Sequence, residues 1–123
     1  MNKYKDTPQD IHKRIYNFII NCYKDVVKKI PKTISSIEDG KQLIRSSGSV
    51  HSNYIEANEA FSKIDFYHRV KICRKEVKES RSWLKLLDLN RGDSLDLERN
   101  RLTREAEELM RIFGSIITRE KKF

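Results

Sequence analysis

The strongest constraint in this sequence is a run of apolar and small residues between positions 63 and 90 that repeats at alternating spacings of four and three. Its members are Phe66, Val70, Cys73, Val77, Ser80, Leu84 and Leu87. An α-helix places residues spaced in this way along one side, whereas a strand would distribute them over two faces. The segment therefore predicts a long helix that contributes one seam to a helical bundle.

Two other segments, residues 8–29 and 96–121, show the same period. The first follows Thr7, a residue suited to cap a helix, and its first turn accepts Pro8. It carries two neighbouring stripes, so we expect it to be covered on two sides, the second by another subunit. The first stripe is Ile11, Ile15, Phe18, Cys22 and Val26, and the second is Tyr16, Ile20, Tyr23, Val27 and Ile30. The later segment repeats the period with Leu102, Ala106, Leu109, Phe113 and Ile116.

The remaining segment, residues 37–60, contains the stretch SSGSVHSN at 46–53, whose composition resembles that of a flexible linker. The helical period nevertheless continues through it, because the seam runs without a break through Leu43, Ser47, Val50, Tyr54, Ala57 and Phe61. A linker has no reason to keep this phase. We interpret the stretch as a helix interior whose small side chains allow a neighbouring helix to approach closely.

These four segments predict an all-α fold, an antiparallel up-down-up-down four-helix bundle that forms a single domain over residues 1–123. The expected helices are 8–29, 37–60, 63–90 and 96–121, with a start near Ser62 for the third. The turn chemistry of Asn90, Arg91, Gly92 and Asp93, together with Ser94 as a second capping residue, separates the last two. Folding the second and third helices back on each other places Val50 near Cys73 and Ser46 near Val77.

The spacing of the two cysteines and the short length of the apolar runs favour a cytoplasmic location. Cys22 and Cys73 are far apart in sequence and have no metal-binding spacing, so a reduced core position is favoured over a disulfide or a metal site. No leader-like apolar core opens the sequence, and no apolar run approaches the roughly 18 residues of a membrane span. We therefore expect neither secretion nor membrane insertion.

The net charge of +8 points to polyanions as partners. The excess lies in residues 1–91, because seven basic residues balance seven acidic ones over 92–123. On the third helix a basic stripe runs beside the seam, formed by Lys71, Arg74, Lys78, Arg81 and Lys85, and Lys24 and Lys28 of the first helix are expected to widen it. Two interpretations stay open: a solvated face partly neutralised by Glu76 and Glu79, or a surface that binds nucleic-acid phosphates.

The other candidate residues are expected to have structural rather than chemical roles. Asn53 is expected to satisfy buried groups near the contact between the second and third helices, and Glu56 to pair with Arg69 or Lys71. No second carboxylate or nucleophile accompanies Glu56, so no catalytic residue is predicted. A di-iron bundle would require two Glu-x-x-His pairs, and the nearest match is one Asp-x-x-His, so neither a metal nor another cofactor is expected. Trp83 and Leu86 are either core residues or a subunit contact.

The order of these motifs resembles the S23 family, also called the four helix bundle protein or 23S rRNA intervening-sequence protein family. The resemblance covers about residues 8–121 and rests on Gln42, Leu43, Arg45, Ser46, Ser49, Asn53, Tyr54, Glu56, Ala57, Ser62, Asp65, Phe66, Lys75, Glu76, Trp83, Leu84, Leu87, Glu107, Glu108, Leu109, Ser115, Ile116 and Ile117. It implies a bacterial protein with a four-helix bundle that assembles as a ring-like homopentamer and has no established catalytic activity. The segment Val50-His51-Ser52 departs from the smaller residues common there.

Two functions remain open at this point. The first is a non-enzymatic, basic, oligomeric bundle that binds RNA, ribosomal RNA among the candidates, or structured DNA through backbone contacts. In that case the basic stripe contacts nucleic acid, while Tyr16, Ile20, Tyr23, Val27, Trp83 and Leu86 form the oligomer interface. The second is a protein-binding scaffold or accessory subunit, for example for the reverse transcriptase of a diversity-generating retroelement, as the resemblance implies.

Overall fold

The computed structural model describes residues 7–89 and 93–122, and within these ranges the chain is helical and contains no strand. Four α-helices form a bundle in which consecutive helices run in opposite directions, which confirms the predicted fold class. They are α1 (Pro8–Asn21), α2 (Ile34–Asn58), α3 (Lys63–Leu86) and α4 (Asp93–Thr118).

Each helix packs against two others around a common core. Both α2 and α4 contact α1 and α3, so α1 and α3 occupy opposite corners of the bundle. The predicted seams line this core: fully enclosed side chains come from all four helices, and they include Ile15, Phe18, Leu43, Val50, Val70, Val77, Leu84, Leu102, Leu109 and Phe113. Both cysteines are free and buried.

Side-chain caps set the helix starts. Thr7 and Asp10 form a reciprocal capping box, in which Thr7 Oγ1 accepts from the Asp10 amide at 3.1 Å and Asp10 Oδ2 accepts from the Thr7 amide at 3.1 Å. Ser62 caps α3 by accepting from the Asp65 amide at 3.1 Å. Thr33 caps α2 by accepting from the Ser36 amide at 3.2 Å, so α2 begins three residues before the predicted position 37.

The end of the first predicted helix is irregular. After α1 the chain makes one π-helical turn over Cys22–Val26 and one 3₁₀ turn over Val27–Lys29, and at Ile30 it becomes extended. Pro31 follows, and a residue that precedes proline is disfavoured in the helical conformation. The apolar period therefore continues to Ile30, although the regular α-helix ends at Asn21.

The stretch SSGSVHSN lies entirely inside α2. Ser46 and Ser80 share a buried hydrogen bond of 2.8 Å between their hydroxyl oxygens, and the Cys73 thiol donates to the Val50 carbonyl at 3.6 Å. The pairing of Val50 with Cys73 is as predicted, while the hydrogen-bond partner of Ser46 lies one turn beyond the expected Val77. The small residues thus bring α2 and α3 within hydrogen-bonding distance of each other, and each hydroxyl also contacts a carbonyl of its own helix, Leu43 for Ser46 and Glu76 for Ser80.

Two predictions at the helix ends need comment. Phe61 was expected on the α2 seam, but α2 ends at Asn58 and Phe61 is fully exposed in the connection to α3. The predicted turn at Asn90, Arg91 and Gly92 lies outside the described residues, as does the side chain of Asp93. On the α4 side, Arg99 Nη1 donates to the carbonyls of Leu84 and Leu87 at 3.1 and 3.2 Å, which satisfies the C-terminal end of α3.

Candidate nucleic-acid interface

The five cations of the basic stripe line the side of α3 that faces α4. Lys71, Lys78 and Lys85 extend into solvent, as does Arg74, while Arg81 is half-buried. Their positions follow from the α3 seam: a residue one place beyond each seam position is rotated by about 100° toward the neighbouring helix. The structure therefore brings all five side chains to one edge of the molecule.

Carboxylates of α4 and its C-terminal turn neutralise part of the stripe. Lys71 Nζ lies 2.9 Å from Glu120 Oε1, and Arg81 Nη1 lies 3.4 Å from Glu107 Oε2. Within the described residues, Arg74, Lys78 and Lys85 have no ion pair. The stripe therefore keeps an excess of positive charge at its centre and at one end.

The carboxylates expected to neutralise the stripe have a different partner. Arg45 of α2 pairs with Glu76 at 3.6 Å and forms a second, shorter ion pair with Glu79. Both glutamates lie on the side of α3 that faces α2, so they cannot shield cations on the α4 side. The expected neutralisation by Glu76 and Glu79 was wrong because helical rotation separates the two sets of charges.

A groove opens between α3 and α4 at the middle of the stripe. It has a volume of about 360 Å³, and its lining brings together Arg74, Arg81, Glu107, Met110, Arg111 and Gly114. Gly114 lies on the α4 wall of the groove, where a Cβ would come into ordinary van der Waals contact with Nε of Arg74, at 3.5 Å. Three guanidinium groups thus surround a space that contains one carboxylate. An anion entering it would meet paired, planar donors of the kind that suit phosphate.

Sequence reasoning missed Arg111. It lies in the neutral C-terminal quarter and is joined to Glu108 at 3.3 Å along its own helix, so local charge counting gave no reason to select it. The signal that could have identified it is register: in an antiparallel pair, the α4 residues opposite Arg74 and Arg81 fall near Arg111.

Lys24 and Lys28 are not part of this surface. Both are exposed, but they belong to the irregular extension of α1, and α1 lies at the corner opposite α3. Near them, Asp25 pairs with Arg101 of α4 at 3.5 Å. The predicted widening of the stripe by these two lysines does not occur within one chain.

Asn53 and Glu56, the two polar residues assigned structural roles, behave differently from each other. Asn53 donates to the Ser49 carbonyl at 2.9 Å and accepts from Arg69 Nη1 at 3.0 Å, so it links α2 to α3. Glu56 is exposed. Among the described residues, Arg69 binds Asn53 and Lys71 binds Glu120, and neither cation forms the ion pair expected with Glu56.

The predicted oligomer residues divide between two corners. On α1, Tyr16, Ile20 and Tyr23 expose 52 %, 39 % and 49 % of their surface, while Val27 packs partly against the core. On α3, Leu86 exposes 63 %, whereas Trp83 packs against the core with its indole nitrogen buried and without an acceptor among the described residues. The first three residues of the second apolar stripe of α1 are therefore left uncovered by the described chain, whereas Ile30 at its end is buried.

An apolar stripe on α2, which was not predicted from the sequence, extends this uncovered surface. It consists of Ile37, Ile44 and Ile55, which expose 42 %, 45 % and 41 % of their surface. Together with Tyr16, Ile20 and Tyr23 they form what we call the α1–α2 outer face. Gly48 lies between Ile44 and Ile55 on the helix, and a Cβ added there would meet nothing within 4 Å.

The described part of the chain offers little for other chemistries. Buried thiols are poor nucleophiles here, because burial raises the pKa of Cys73 to about 12 and raises the pKa of Cys22 further. No cluster of three or more potential metal ligands occurs in residues 7–89 and 93–122. Over the same residues, no helix combines the length and apolar character needed to cross a membrane.

The family model and the solved structure that match this chain point to the same protein family. Residues 8–115 match a family model described as 23S rRNA-intervening sequence protein. A crystal structure from Bacteroides thetaiotaomicron VPI-5482, described as a protein with unknown function from the S23 ribosomal protein family, is 27 % identical and superimposes with a TM-score of 0.71. The alignment covers 87 % of this chain and 97 % of that one. No curated protein matches the chain.

Proposed function

The chain belongs to the 23S rRNA-intervening sequence protein family, and from the charges at its α3–α4 edge we propose that it is a non-enzymatic protein that binds the phosphate backbone of a nucleic acid. One observation carries this proposal. Arg74 and Arg81 of α3 converge with Arg111 of α4 on a groove. Glu76 and Glu79 of α3 are instead paired on the opposite side with Arg45.

The dimensions of the stripe suit a polyanion. Lys71 and Lys85 are separated by fourteen residues, or about 21 Å along a helix that rises 1.5 Å per residue. Nucleic-acid strands carry one phosphate about every 3.4 Å of duplex axis, so a stripe of this length spans several charges. Backbone contacts of this kind give affinity without base recognition, and we therefore propose RNA or structured DNA as the ligand class rather than a defined sequence.

The cations of the stripe differ in whether they already have an ion-pair partner. Arg74, Lys78 and Lys85 have no ion pair within the described residues and are available to phosphates. Arg81 must share its guanidinium with Glu107, and the 3.4 Å separation of that pair leaves room for exchange of partners. We infer that phosphate binding draws Arg81 away from Glu107 and that Arg111 approaches from the other wall.

Assembly would strengthen such binding. We propose that copies of the chain associate through the α1–α2 outer face, as a homopentamer in the arrangement that the family resemblance implies. A weak basic surface repeated around a ring gains affinity because the second and later contacts become intramolecular. The protein would then act in the cytoplasm as a ring that presents several basic edges.

The test compares two variants that lose the same charge. One carries Arg74→Gln, Lys78→Gln and Lys85→Gln, and the matched control replaces three exposed lysines of the α1 region, Lys13, Lys24 and Lys28, by Gln. Binding of a fluorescent single-stranded RNA and of a DNA hairpin is measured by anisotropy over a salt series. We expect the first variant alone to lose affinity, with the slope of log K against log salt reduced by roughly two.

Equal losses in both variants would show that net charge, rather than the stripe, attracts the ligand. Binding that does not weaken as salt rises would contradict backbone recognition itself. The stripe variant should keep the particle mass of the wild type, because its three substitutions lie away from the α1–α2 outer face. The particle mass of the control is measured as well, because Lys24 lies one helical turn from Ile20 of that face.

A second function is supported by the α1–α2 outer face. Its six apolar side chains are each exposed by 39–52 %, and a surface of that kind marks protein contacts. The alternative we propose is an accessory subunit that binds an enzyme partner, such as a reverse transcriptase, without touching nucleic acid. Purification without nuclease discriminates the two: co-purifying nucleic acid in the absorbance spectrum favours the first function, and nucleic-acid-free particles favour the second.

A further inference from the structure

Two of the three histidines in the chain meet across the contact between α1 and α2. The ring centroids of His12 and His51 are 5.0 Å apart, and the planes of the two rings are inclined by 50°. Both side chains are half-buried, and Tyr16 packs against the pair at 5.3 Å from His51 and 5.7 Å from His12. Both histidines lie on regular helices, so their backbone positions are fixed.

Partial burial, and then the nearby His12, lower the pKa of His51 below its ordinary value. A neutral imidazole keeps a nitrogen lone pair, which is the form that binds metal ions. Ring packing alone would be served equally well by two aromatic hydrocarbons, whereas two imidazoles bring two nitrogen donors to one place.

We propose that His12 and His51 form a two-histidine site for a borderline divalent transition metal ion, namely Cu²⁺, Ni²⁺ or Zn²⁺. Metal–nitrogen bonds of about 2.0–2.1 Å from two imidazoles to one tetrahedral ion place the ring centroids about 5 to 5.5 Å apart. The observed 5.0 Å separation of the two ring centroids lies at the short end of this range.

The surroundings select the class of ion. Asp10, the carboxylate nearest to His12 in sequence, is engaged with Thr7 in the capping box. The described residues supply no third side chain to make a metal cluster, so water would complete the coordination. Hard cations such as Mg²⁺ and Ca²⁺ prefer oxygen ligands and should not bind, while the affinities should follow the order Cu²⁺ above Ni²⁺ and Zn²⁺.

A bound ion would cross-link two helices. Because the two ligands come from α1 and α2, the ion binds the folded chain and has no equivalent site in the unfolded one, so it raises the melting temperature. The site would also join α1 to the rest of the bundle near Tyr16, a residue of the α1–α2 outer face. The proposal does not depend on nucleic-acid binding.

The experiment uses the full chain prepared without an affinity tag. Isothermal titration and thermal unfolding are followed with Cu²⁺, Ni²⁺, Zn²⁺ and, as a negative control, Mg²⁺. The variants are His12→Gln and His51→Gln, and the matched control is His68→Gln, which changes the third, exposed histidine at the start of α3. Circular dichroism verifies that each variant is folded.

We expect saturable binding and a rise of several degrees in melting temperature for the wild type and for His68→Gln. Each of the other two variants should lose affinity by at least about tenfold. Electron paramagnetic resonance of the Cu²⁺ complex should show two imidazole nitrogens, and one after either substitution. Undiminished binding in His51→Gln, loss in His68→Gln, or a melting temperature that no transition metal shifts would each overturn the proposal.

Discussion

Gly48 provides the sharpest test of how α2 is packed. It occupies the middle of a 25-residue helix, where glycine destabilises by about 1 kcal/mol relative to alanine. A packed glycine can offset this cost by letting another backbone approach. Within the chain, however, a Cβ at position 48 would meet no atom within 4 Å, so no close neighbour compensates for the glycine.

Replacing Gly48 by Ala should therefore stabilise the folded monomer. The gain expected from helix propensity and reduced freedom of the unfolded chain is about 0.5–1 kcal/mol. For a chain of this size that corresponds to a rise in melting temperature of roughly 2–5 °C. The assay is urea unfolding followed by far-ultraviolet circular dichroism, at two protein concentrations about tenfold apart, with particle mass measured by light scattering.

Another glycine of α2, Gly40, serves as a control. A Cβ at Gly40 would lie 3.4 Å from Val27 Cγ1 and 3.5 Å from Ile30 Cδ1, so Gly40→Ala fills a contact that is already close and should gain less. A fall in the urea midpoint of Gly48→Ala that is the same at both concentrations would refute the reasoning. A fall in the urea midpoint seen only at the higher protein concentration, together with a smaller particle mass, would instead show that a second chain packs against Gly48.

Two further predictions concern the core and a helix end. Arg99→Ala should lower the free energy of unfolding by about 1–3 kcal/mol in the same urea assay, because it leaves the C-terminal carbonyls of α3 without their donor; an unchanged midpoint would mean that water replaces the arginine. Cys22 and Cys73 should react with a thiol reagent far more slowly in the folded chain than in urea. Raising the pH from 7 toward 9 should accelerate the thiol reaction of the unfolded chain much more than that of the folded chain, since burial holds both thiol pKa values above the ordinary 9.0 in the folded chain. Equal acceleration of the two reactions would contradict burial.

The fold was predictable because it depends on local periodicity. The spacing of Val70, Cys73 and Val77 determines which side of α3 is buried, and the same period identified Ser46 and Ser47 as helical in spite of their composition. The exceptions come at helix ends. Phe61 keeps the phase of α2, but phase alone does not show where a helix stops.

The candidate interface was only partly predictable, because it depends on which oppositely charged side chains form ion pairs with each other. Helical position placed Lys71 and Arg81 on one side of α3, and the structure agrees. The choice of Glu120 and Glu107 as their partners depends on the register between α3 and α4. Arg45 illustrates the same limit: sequence spacing along α3 suggested that Glu76 would neutralise the stripe, whereas the α2 register assigns it to Arg45.

The π-helical turn over Cys22–Val26 bears on how the length of this chain can change. A π turn contains about one residue more than an α turn, so deleting one residue there should leave a regular α-helix with both flanks in register. The same deletion inside α2 would rotate everything beyond it by about 100° and remove Tyr54 and Ala57 from the core. The end of α1 is thus the place in this helix pair where gain or loss of one residue is compatible with the fold, and insertions or deletions among relatives should concentrate there.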